Sequence, residues 1–347
     1  MTTYWLLFAY FAIGTLLVPL HMQRSFGSRF FLLVGVAATS LMIGLRYRVG
    51  ADWYAYKRIF ARADVELYQA LFRGDPGYEL LNWLVQQIGA GLWLVNLVCG
   101  LIFAWGLWRF AKVQRDAWLT ILVAVPYLVI VVAMGYTRQA VAIGFILSGL
   151  AALFRCQSPV RFLAYAVAAA LFHKTAVAVL PLVLLSGRRN QIVNIAIAIG
   201  ITYFLYDLLV AGSSDLLVRD YITEKYKSQG AGVRLALITI PALLFLVAGR
   251  RFGFADQERL IWRSFSLAAL GLLFLLLIMP SSTAVDRLAL YILPLQLAVM
   301  SRIPGSLSSV GIGRAVIILY ALATEYVWLN YAVHSRDWIP YQAVLFN

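Results

Sequence analysis

The charged residues that follow the second apolar run of the chain are the first candidates for chemistry. The stretch "GLRYRVGADWYAY", residues 44–56, places Arg46, Arg48 and Asp52 among aromatic side chains. Guanidinium groups bind phosphate oxygens through paired hydrogen bonds, and a carboxylate can accept the proton of an attacking hydroxyl group. The alternative is that both arginines only lie at a membrane interface, within a belt of aromatic residues. Two arginines and an acid so close together favour an anion site.

Four basic residues stand beside the predicted starts of apolar helices. They are Arg138, Lys174, Arg234 and Arg287. A helix N-terminus already carries about half a positive charge, so a cation there is unfavourable unless an anion is bound. The alternative is that each cation pairs with a nearby acid, as Asp286 beside Arg287 would allow. Four such residues together predict an anion-binding surface.

His173 is the candidate for proton transfer. It ends an apolar segment directly before Lys174, and ionisable residues at membrane depth are candidates for function because burying them is costly. A neighbouring cation favours the neutral imidazole, which can act as a base or donate a hydrogen bond. The alternative is a neutral histidine bonded to a backbone carbonyl. Asp52 is the other candidate base.

Asp75 is predicted to have a structural role instead. The segment "GDPGYELLNWLVQQI" begins with an Asp at the N-cap position and a Pro at the first helical position. Apolar residues then recur with helical spacing. We predict an amphipathic helix along the outer membrane surface, with Asp75 as its cap.

Membrane helices must position these residues. The chain of 347 residues is 63% hydrophobic and 13% charged, with a mean hydropathy of +0.83. Apolar stretches long enough to cross a bilayer core recur from end to end. The predicted fold class is an all-α polytopic membrane protein with a single transmembrane domain over residues 1–347. About twelve transmembrane helices are expected, at 3–20, 29–45, 90–111, 117–135, 138–154, 161–173, 175–187, 191–211, 233–249, 262–280, 287–301 and 313–332.

The distribution of Lys and Arg predicts the orientation. One set of short connections carries two or more basic residues each, at 21–28 (counting Arg29 at its edge), 109–116, 155–161, 187–190, 249–263 and 301–314. The other short connections, near 136–138, 173–174 and 281–287, carry one each. Basic connections face the cytoplasm, so the second set and the longer loops 46–77 and 211–232 face outward.

The charge and cysteine patterns exclude other classes of function. The formal net charge of +14 mostly reflects membrane topology, because no contiguous basic patch with interleaved aromatic residues lies in a soluble module. Nucleic acid is therefore not an expected partner. Cys99 and Cys156 form no CxxC pair and no metal-ligand spacing, so no metal site is predicted.

Six motifs, spread over almost the whole chain, are similar to those of a known family. They are "LRYRVGADWYAY", "GDPGYELLNWL", "TRQAVAIGFIL", "ALFHKTAVAVLPL", "DRLALYILPLQ" and "WIPYQ". In this order they resemble the EpsG family of bacterial exopolysaccharide polymerases, relatives of the Wzy O-antigen polymerases. The resemblance implies a helical fold of the general glycosyltransferase C type, in the inner membrane of a bacterium. It also implies that the family's recurrent polar positions correspond to Arg46, Arg48, Asp52, Arg138, His173 and Arg287.

The resemblance implies a substrate as well, namely repeat-unit oligosaccharides linked to undecaprenyl pyrophosphate and handled at the periplasmic face. We expect transfer of a glycan from this carrier to the non-reducing end of an incoming lipid-linked repeat, without a metal or other cofactor. Expected partners besides the substrate are membrane lipids, a chain-length regulator and a flippase. Pyrophosphate binding is expected at Arg46, Arg48, Arg138, Lys174 and Arg287, and catalysis at Asp52, His173 and Arg138.

Two alternatives to the polymerase remain. An O-antigen ligase would share the donor chemistry and differ in its acceptor. A flippase or transporter of lipid-linked oligosaccharide should line a path through the membrane with charged residues, and it often shows internal repeats. The sequence shows no internal repeat and collects its charges at helix ends on one face, which favours the polymerase.

Overall fold

A computed structural model of the protein describes residues 1–184, 199–200, 203, 230–278 and 282–346. Apart from one isolated β-bridge, the regular structure in these ranges is helical. The chain forms two compact units, one of Met1–His173 with Gly311–Asn347 and one of Lys174–Val310. The sequence did not predict this division, and the single transmembrane domain stays a prediction.

The helices are numbered here in chain order. They are α1 (Thr2–Leu17), α2 (Phe26–Gly44), α3 (Trp53–Ala61), α4 (Leu67–Leu71), α5 (Pro76–Gln87), α6 (Leu92–Ala111), α7 (Ala117–Ala124), α8 (Thr137–Cys156), α9 (Pro159–Phe172), α10 (Leu180–Leu184), α11 (Ala231–Ala248), α12 (Asp256–Ile278), α13 (Ser282–Ala289), α14 (Leu293–Met300) and α15 (Val310–Tyr331). Helix α7 continues as a π-helix over Val125–Ala133.

Seven helical segments in the described ranges are long and apolar enough to cross a membrane, and four further apolar segments are shorter. One of the seven is the continuous run Ser282–Met300, which contains both α13 and α14. The protein is therefore an all-helical, polytopic membrane protein. Helical segments coincide with each predicted span except 191–211, nearly all of which lies outside the described residues. The total of twelve spans and the glycosyltransferase C type of fold stay predictions.

Of the two long outer loops, only the first can be compared with the structure. The predicted loop 46–77 contains α3 and α4 and the start of α5, so half of it is helical. The predicted amphipathic helix is α5, and its position on the outer membrane surface stays a prediction. Residues 211–229 of the second loop lie outside the described ranges.

Helix α7 and its π-helical continuation form the centre of the first unit. Every residue from Ala117 to Ala133 is buried, as expected for a helix that is apolar all round and covered on all sides. Pro126 stands near the start of the π-helix and has no backbone N–H to donate. The wider π turn continues the helix through a position that interrupts α-helical hydrogen bonding.

Helices α6 and α8 approach each other at backbone distance. A Cβ atom at Gly106 would lie 1.9 Å from the carbonyl oxygen of Gly144, so only glycine fits at that position. Small residues allow membrane helices to pack this closely. The contact fixes α8 against the core, and α8 carries Arg138 at its beginning.

A buried ion pair lies in the first unit at the beginning of α7. The Asp116 carboxylate caps α7 by accepting from Leu119 N at 3.1 Å, and it accepts from Arg314 Nε of α15 at 2.8 Å. Gln23 Nε2, from the turn between α1 and α2, also donates to this carboxylate at 3.1 Å. One side chain thus joins three parts of the chain that are far apart in sequence.

The second unit is built around α11, which packs on α12 and α14. Arg302, after α14, donates to Glu258 Oε2 of α12 at 3.0 Å. The Arg302 guanidinium also lies 4.1 Å from the centre of the Phe254 ring. This arrangement fixes the connection between α11 and α12 against the end of α14.

Candidate functional site

Arg138 and His173, two of the predicted site residues, meet at one carboxylate of the first unit. Arg138 Nη1 donates to Asp75 Oδ2 at 2.7 Å, and His173 Nδ1 lies 3.6 Å from the same oxygen. The Asp75 side chain is only 6% exposed, whereas the Arg138 side chain is 33% exposed. We call Asp75, Arg138 and His173 the Asp75 cluster.

Three helix ends bring the Asp75 cluster together. Asp75 is the N-cap residue of α5, Arg138 is the second residue of α8, and His173 is the C-cap residue of α9. The predicted N-cap position of Asp75 before Pro76 is confirmed, but its side chain makes no capping hydrogen bond. Its carboxylate instead faces the guanidinium of Arg138, because an ion pair satisfies a buried charge better than a neutral N–H does.

Tyrosines and a second acid surround the cluster. The Tyr56 side chain of α3 is a further hydrogen-bond partner of Arg138, and its ring packs edge-on against Tyr78 of α5 at 5.7 Å between ring centres. Glu79 is also buried beside Arg138. Burial raises the pKa of Glu79, and the positive charge of Arg138 opposes that rise. The two packed tyrosine rings therefore form an aromatic wall beside the cluster.

Arg46 is completely buried beneath the start of α8. Its Nη2 donates to Thr137 Oγ1 at 2.7 Å and to Asn96 Oδ1 at 3.2 Å. Because Arg46 is only 1% exposed, it does not face solvent in this conformation. Burial also lowers the pKa of its guanidinium. Thr137 directly precedes Arg138, so the contact places Arg46 as a support for the Asp75 cluster.

The C-terminal motif "WIPYQ" holds the backbone around Arg46. Tyr47 N donates to Gln342 O at 2.9 Å, and Val344 N donates to Leu45 O at 2.8 Å. Trp338 is buried, and its ring N–H donates to Ile130 O of the π-helix at 2.7 Å. The end of the chain therefore fixes the loop that carries the predicted anion site.

The same loop contains a glycine that no other residue could replace without strain. Gly50 has a φ of 103° and donates to Asp337 O at 2.8 Å. A Cβ atom there would lie 2.3 Å from Met134 O. Glycine at this position lets the loop approach the end of the π-helix.

Arg48 and Asp52 differ from Arg46 in exposure. Arg48 is exposed, with its guanidinium 5.1 Å from the centre of the Tyr47 ring. Asp52 is partly exposed and is the N-cap residue of α3. It precedes Tyr56 by four residues, and this spacing places both residues on one face of the helix.

The predicted site residues of the second unit lie near a different ion pair. Arg234, in the first turn of α11, donates to Asp286 Oδ1 at 2.7 Å. The Thr175 and Tyr291 hydroxyl groups are 3.3 Å apart. Lys174 begins a 3-10 helix that runs to Val179. The predictions of a cation at a helix start are therefore confirmed for Arg138, Lys174 and Arg234.

The prediction for the start of the helix at Arg287 was wrong. Helix α13 begins at Ser282, so Arg287 lies in its last turn. The helical run continues through Leu290–Ile292 to Met300, so Arg287 lies within the run and not at the N-terminal end where a bound anion is favoured. The acid next to it in sequence, Asp286, bonds to Arg234.

The Asp75 cluster can hold an anion and move a proton. Arg138 is a cation at a helix N-terminus, where the N–H groups of α8 add to its attraction for phosphate oxygens. A carboxylate that faces one nitrogen of an imidazole orients the ring and stabilises its protonated form. No group of three or more His, Cys, Asp or Glu residues that could bind a metal occurs in the described ranges.

Comparison with known proteins identifies the family. The EpsG family matches residues 28–343, nearly the whole chain. This protein belongs to the EpsG family. No curated protein and no solved structure matches the chain. EpsG membership makes an exopolysaccharide polymerase of the glycosyltransferase type the expected activity.

The EpsG motifs converge in the structure. Four of them contribute to the Asp75 cluster or its aromatic wall, through Tyr56, Asp75, Arg138 and His173. The closing "WIPYQ" supports the loop of the first motif. Sequence reasoning missed the contacts of Asp75 with Arg138 and His173, because the place of Asp75 before a proline already had a local explanation. It also missed Thr137 and Asn96, whose neutral side chains give no signal of a buried arginine.

Proposed function

We propose that this EpsG-family protein is a polysaccharide polymerase with its active site at the periplasmic face of the bacterial inner membrane. It would transfer a glycan from undecaprenyl pyrophosphate to the non-reducing end of a lipid-linked repeat unit. The observation that carries the proposal is the shared Asp75 carboxylate, beside which a partly exposed cation and a histidine lie together. The basic short connections support the outward orientation of this end of the first unit.

Arg138 is assigned to the pyrophosphate. A third of its side chain is exposed, so a phosphate oxygen can reach the guanidinium while Asp75 keeps its own contact. Negative charge grows on the pyrophosphate as the bond from the anomeric carbon to oxygen breaks. A cation fixed in advance then stabilises the transition state more than the ground state. Arg48, exposed on the neighbouring loop, is assigned a second phosphate contact.

His173 is assigned to the acceptor. Its Nδ1 lies 3.6 Å from Asp75 Oδ2, and Nε2 is the nitrogen that we propose accepts the proton of the attacking sugar hydroxyl. The hydroxyl oxygen forms the new bond to the anomeric carbon, and the pyrophosphate leaves with the electron pair of the broken bond. Asp75 is then a positioning residue that stabilises the imidazolium. This geometry favours His173 over Asp52 as the base.

The remaining predicted residues keep more limited roles. Arg46 is assigned to positioning, because its contacts lead to Thr137 and not to the surface. Lys174 and Arg287 belong to the second unit, and their pyrophosphate contacts stay predictions. Guanidinium groups are proposed to stabilise the leaving group without a metal ion. A chain-length regulator and a flippase stay expected partners.

The test is glycan synthesis by the purified protein. The protein would be reconstituted in lipid with its native undecaprenyl-pyrophosphate repeat unit, without added metal, and glycan length followed by mass spectrometry. We expect a ladder from the wild type and none from Arg138→Ala. The matched control is Arg58→Ala, an exposed arginine of α3 on the same outer segment, which should retain the ladder.

Other outcomes would contradict the proposal. A folded wild-type protein that makes no ladder, but moves the lipid-linked repeat across the membrane of a vesicle, would be a flippase. Transfer only to a lipid A-core acceptor would identify a ligase. An Arg138→Ala variant with a wild-type ladder would exclude the assigned pyrophosphate contact.

A further inference from the structure

A pocket lies in the first unit at the other end of α8 and α9, where α6 also ends. Its volume is about 460 Å³. Two arginines, Arg109 and Arg161, stand among its walls, and the remainder is aromatic or small and apolar. The wall residues are Arg109, Phe145, Arg161, Ala164, Tyr165 and Ala168. The proposed polymerase activity uses none of them.

The two arginines of this pocket have no carboxylate partner in the part of the chain that the structure describes. Arg109, in the last turn of α6, donates to the Tyr165 hydroxyl and lies 5.1 Å from the centre of that ring. Arg161, in the first turn of α9, has its Nη1 3.5 Å from the sulfur of Cys156. Both guanidinium groups therefore keep their full charge available for an anion.

More cations crowd the same region. Lys112 lies 3.6 Å from the centre of the Trp108 ring. Burial lowers the pKa of Lys112, and the positive charges of Arg155, Arg29 and Arg109 lower it further. The acid that follows in the same connection, Asp116, is already paired with Arg314 inside the protein. A group of cations this close repels itself unless an anion from outside the chain is bound.

The rest of the pocket is suited to hydrocarbon. Ala164 and Ala168 are one turn apart on α9, so their small side chains leave a groove along the helix. Phe145 of α8 lines the groove. Trp105 is 53% exposed on α6 near the arginines. Exposed tryptophan is typical of the membrane interface, which places the pocket at headgroup depth.

We propose that this pocket binds one anionic phospholipid, with the phosphodiester between Arg109 and Arg161 and an acyl chain along Ala164, Ala168 and Phe145. Basic pockets between membrane helices bind anionic headgroups by this chemistry. A uniform excess of cytoplasmic Lys and Arg would need neither the concave shape nor the apolar groove. The site is independent of the polymerase activity.

Native mass spectrometry of the full-length protein in a neutral detergent tests the site. Phosphatidylglycerol, phosphatidylcholine with the same acyl chains, and inorganic phosphate would be titrated separately. We expect one tightly bound phosphatidylglycerol at a concentration at least tenfold below that needed for phosphatidylcholine. Inorganic phosphate should not bind at comparable concentrations, because it lacks the chain that fills the groove.

Variants locate the binding. The double variant Arg109→Gln and Arg161→Gln should weaken phosphatidylglycerol binding by about 30-fold, from the contribution of each basic residue near an anionic headgroup. Arg250→Gln with Arg251→Gln is the charge-matched control, since both residues are exposed on the basic connection after α11. A second variant, Ala164→Trp, fills the groove without removing charge and should also weaken binding.

Three results would overturn the proposal. One is equal affinity for phosphatidylglycerol and phosphatidylcholine, and another is equal loss of binding in the two double variants. The third is binding of inorganic phosphate as tight as that of phosphatidylglycerol, which would identify a free-anion site. Retained elution volume and thermal midpoint show that each variant is folded when its binding is compared.

Discussion

The two ends of helix α8 carry the same kind of charge in opposite settings. At its beginning, Arg138 is paired with Asp75 among buried tyrosines and next to His173. At its end, Arg155 is exposed and contributes to the positive field around Lys112. With about 30 Å between these ends, the two groups of cations act on separate sides of the first unit.

The difference teaches how to interpret a charge in a membrane protein. Arg138 is held in place by a buried acid and by a hydrogen-bonding neighbour, whereas Arg155 is exposed. Pairing with a buried acid alone is no sign of chemistry, because Arg314 is paired with Asp116 in the same way. The acid that distinguishes the two cases is 63 positions away from Arg138 in the chain, so local sequence cannot reveal it.

The largest expected effect is the fall in transfer rate when His173, the proposed base, is replaced. His173→Asn keeps a polar side chain of similar size but removes proton transfer, so the transfer rate should fall by about 10²- to 10⁴-fold. The rate would be measured as release of undecaprenyl pyrophosphate from a lipid-linked repeat in a single turnover. A rate within twofold of the wild type would remove His173 from the mechanism.

The next prediction tests whether the buried ion pair between Asp116 and Arg314 is purely structural. Asp116→Asn leaves Arg314 charged and buried, which should lower the free energy of unfolding by about 3–5 kcal/mol. Replacing both partners, with Asp116→Asn and Arg314→Met, should recover part of this loss. Thermal unfolding in detergent measures stability, and the transfer rate per folded molecule should not change. A reduced rate in a stable double variant would contradict the separation of the two ends.

A smaller difference is expected between two arginines two positions apart. Arg46→Met leaves Asn96 and Thr137 without their charged donor, so the free energy of unfolding should fall by about 2–4 kcal/mol. Arg48→Ala removes an exposed side chain and should change stability by less than about 0.5 kcal/mol. Arg48→Ala should act instead on substrate affinity. Equal destabilisation by the two variants would contradict the positioning role of Arg46.

The smallest expected effect concerns the pH dependence of stability. Burial raises the pKa of Glu79 above its ordinary value of 4.5, so the folded protein binds a proton more readily than the unfolded chain does. Stability should therefore decrease as the pH rises above about 4.5 and through the folded-state pKa. Glu79→Gln should remove this part of the pH dependence, measured as the thermal midpoint between pH 4.5 and 8. An identical pH profile of the thermal midpoint in the wild type and in Glu79→Gln would contradict this prediction.

Hydropathy predicted most of the helices, because a span of about 20 apolar residues is a strong and local signal. The sequence also predicted that α8 and α11 begin beside a basic residue. It did not predict the start of α13, because Ser282 to Asp286 form a polar turn of helix that lacks the hydropathy of a membrane span. The division into two units depends on long-range packing, which the sequence pattern does not encode locally.

The candidate site was only partly predictable for a related reason. Arg138 and His173 could be selected because each is an ionisable residue at the end of an apolar segment. Their common partner, Asp75, could not be selected, because an Asp directly before a Pro is fully explained by helix capping. The burial of Arg46 was equally hidden, because its partners are neutral and come from three different elements.

The most direct test of the Asp75 cluster is a double-mutant cycle on Asp75 and His173. Asp75→Asn, His173→Asn and the double variant would be compared in the single-turnover release of undecaprenyl pyrophosphate, with folding checked by thermal midpoint. If Asp75 acts through His173, the double variant should be no slower than His173→Asn alone, because residues that act as a unit are not additive. Multiplicative rate losses, or a wild-type rate in either single variant, would contradict a catalytic centre built on that contact.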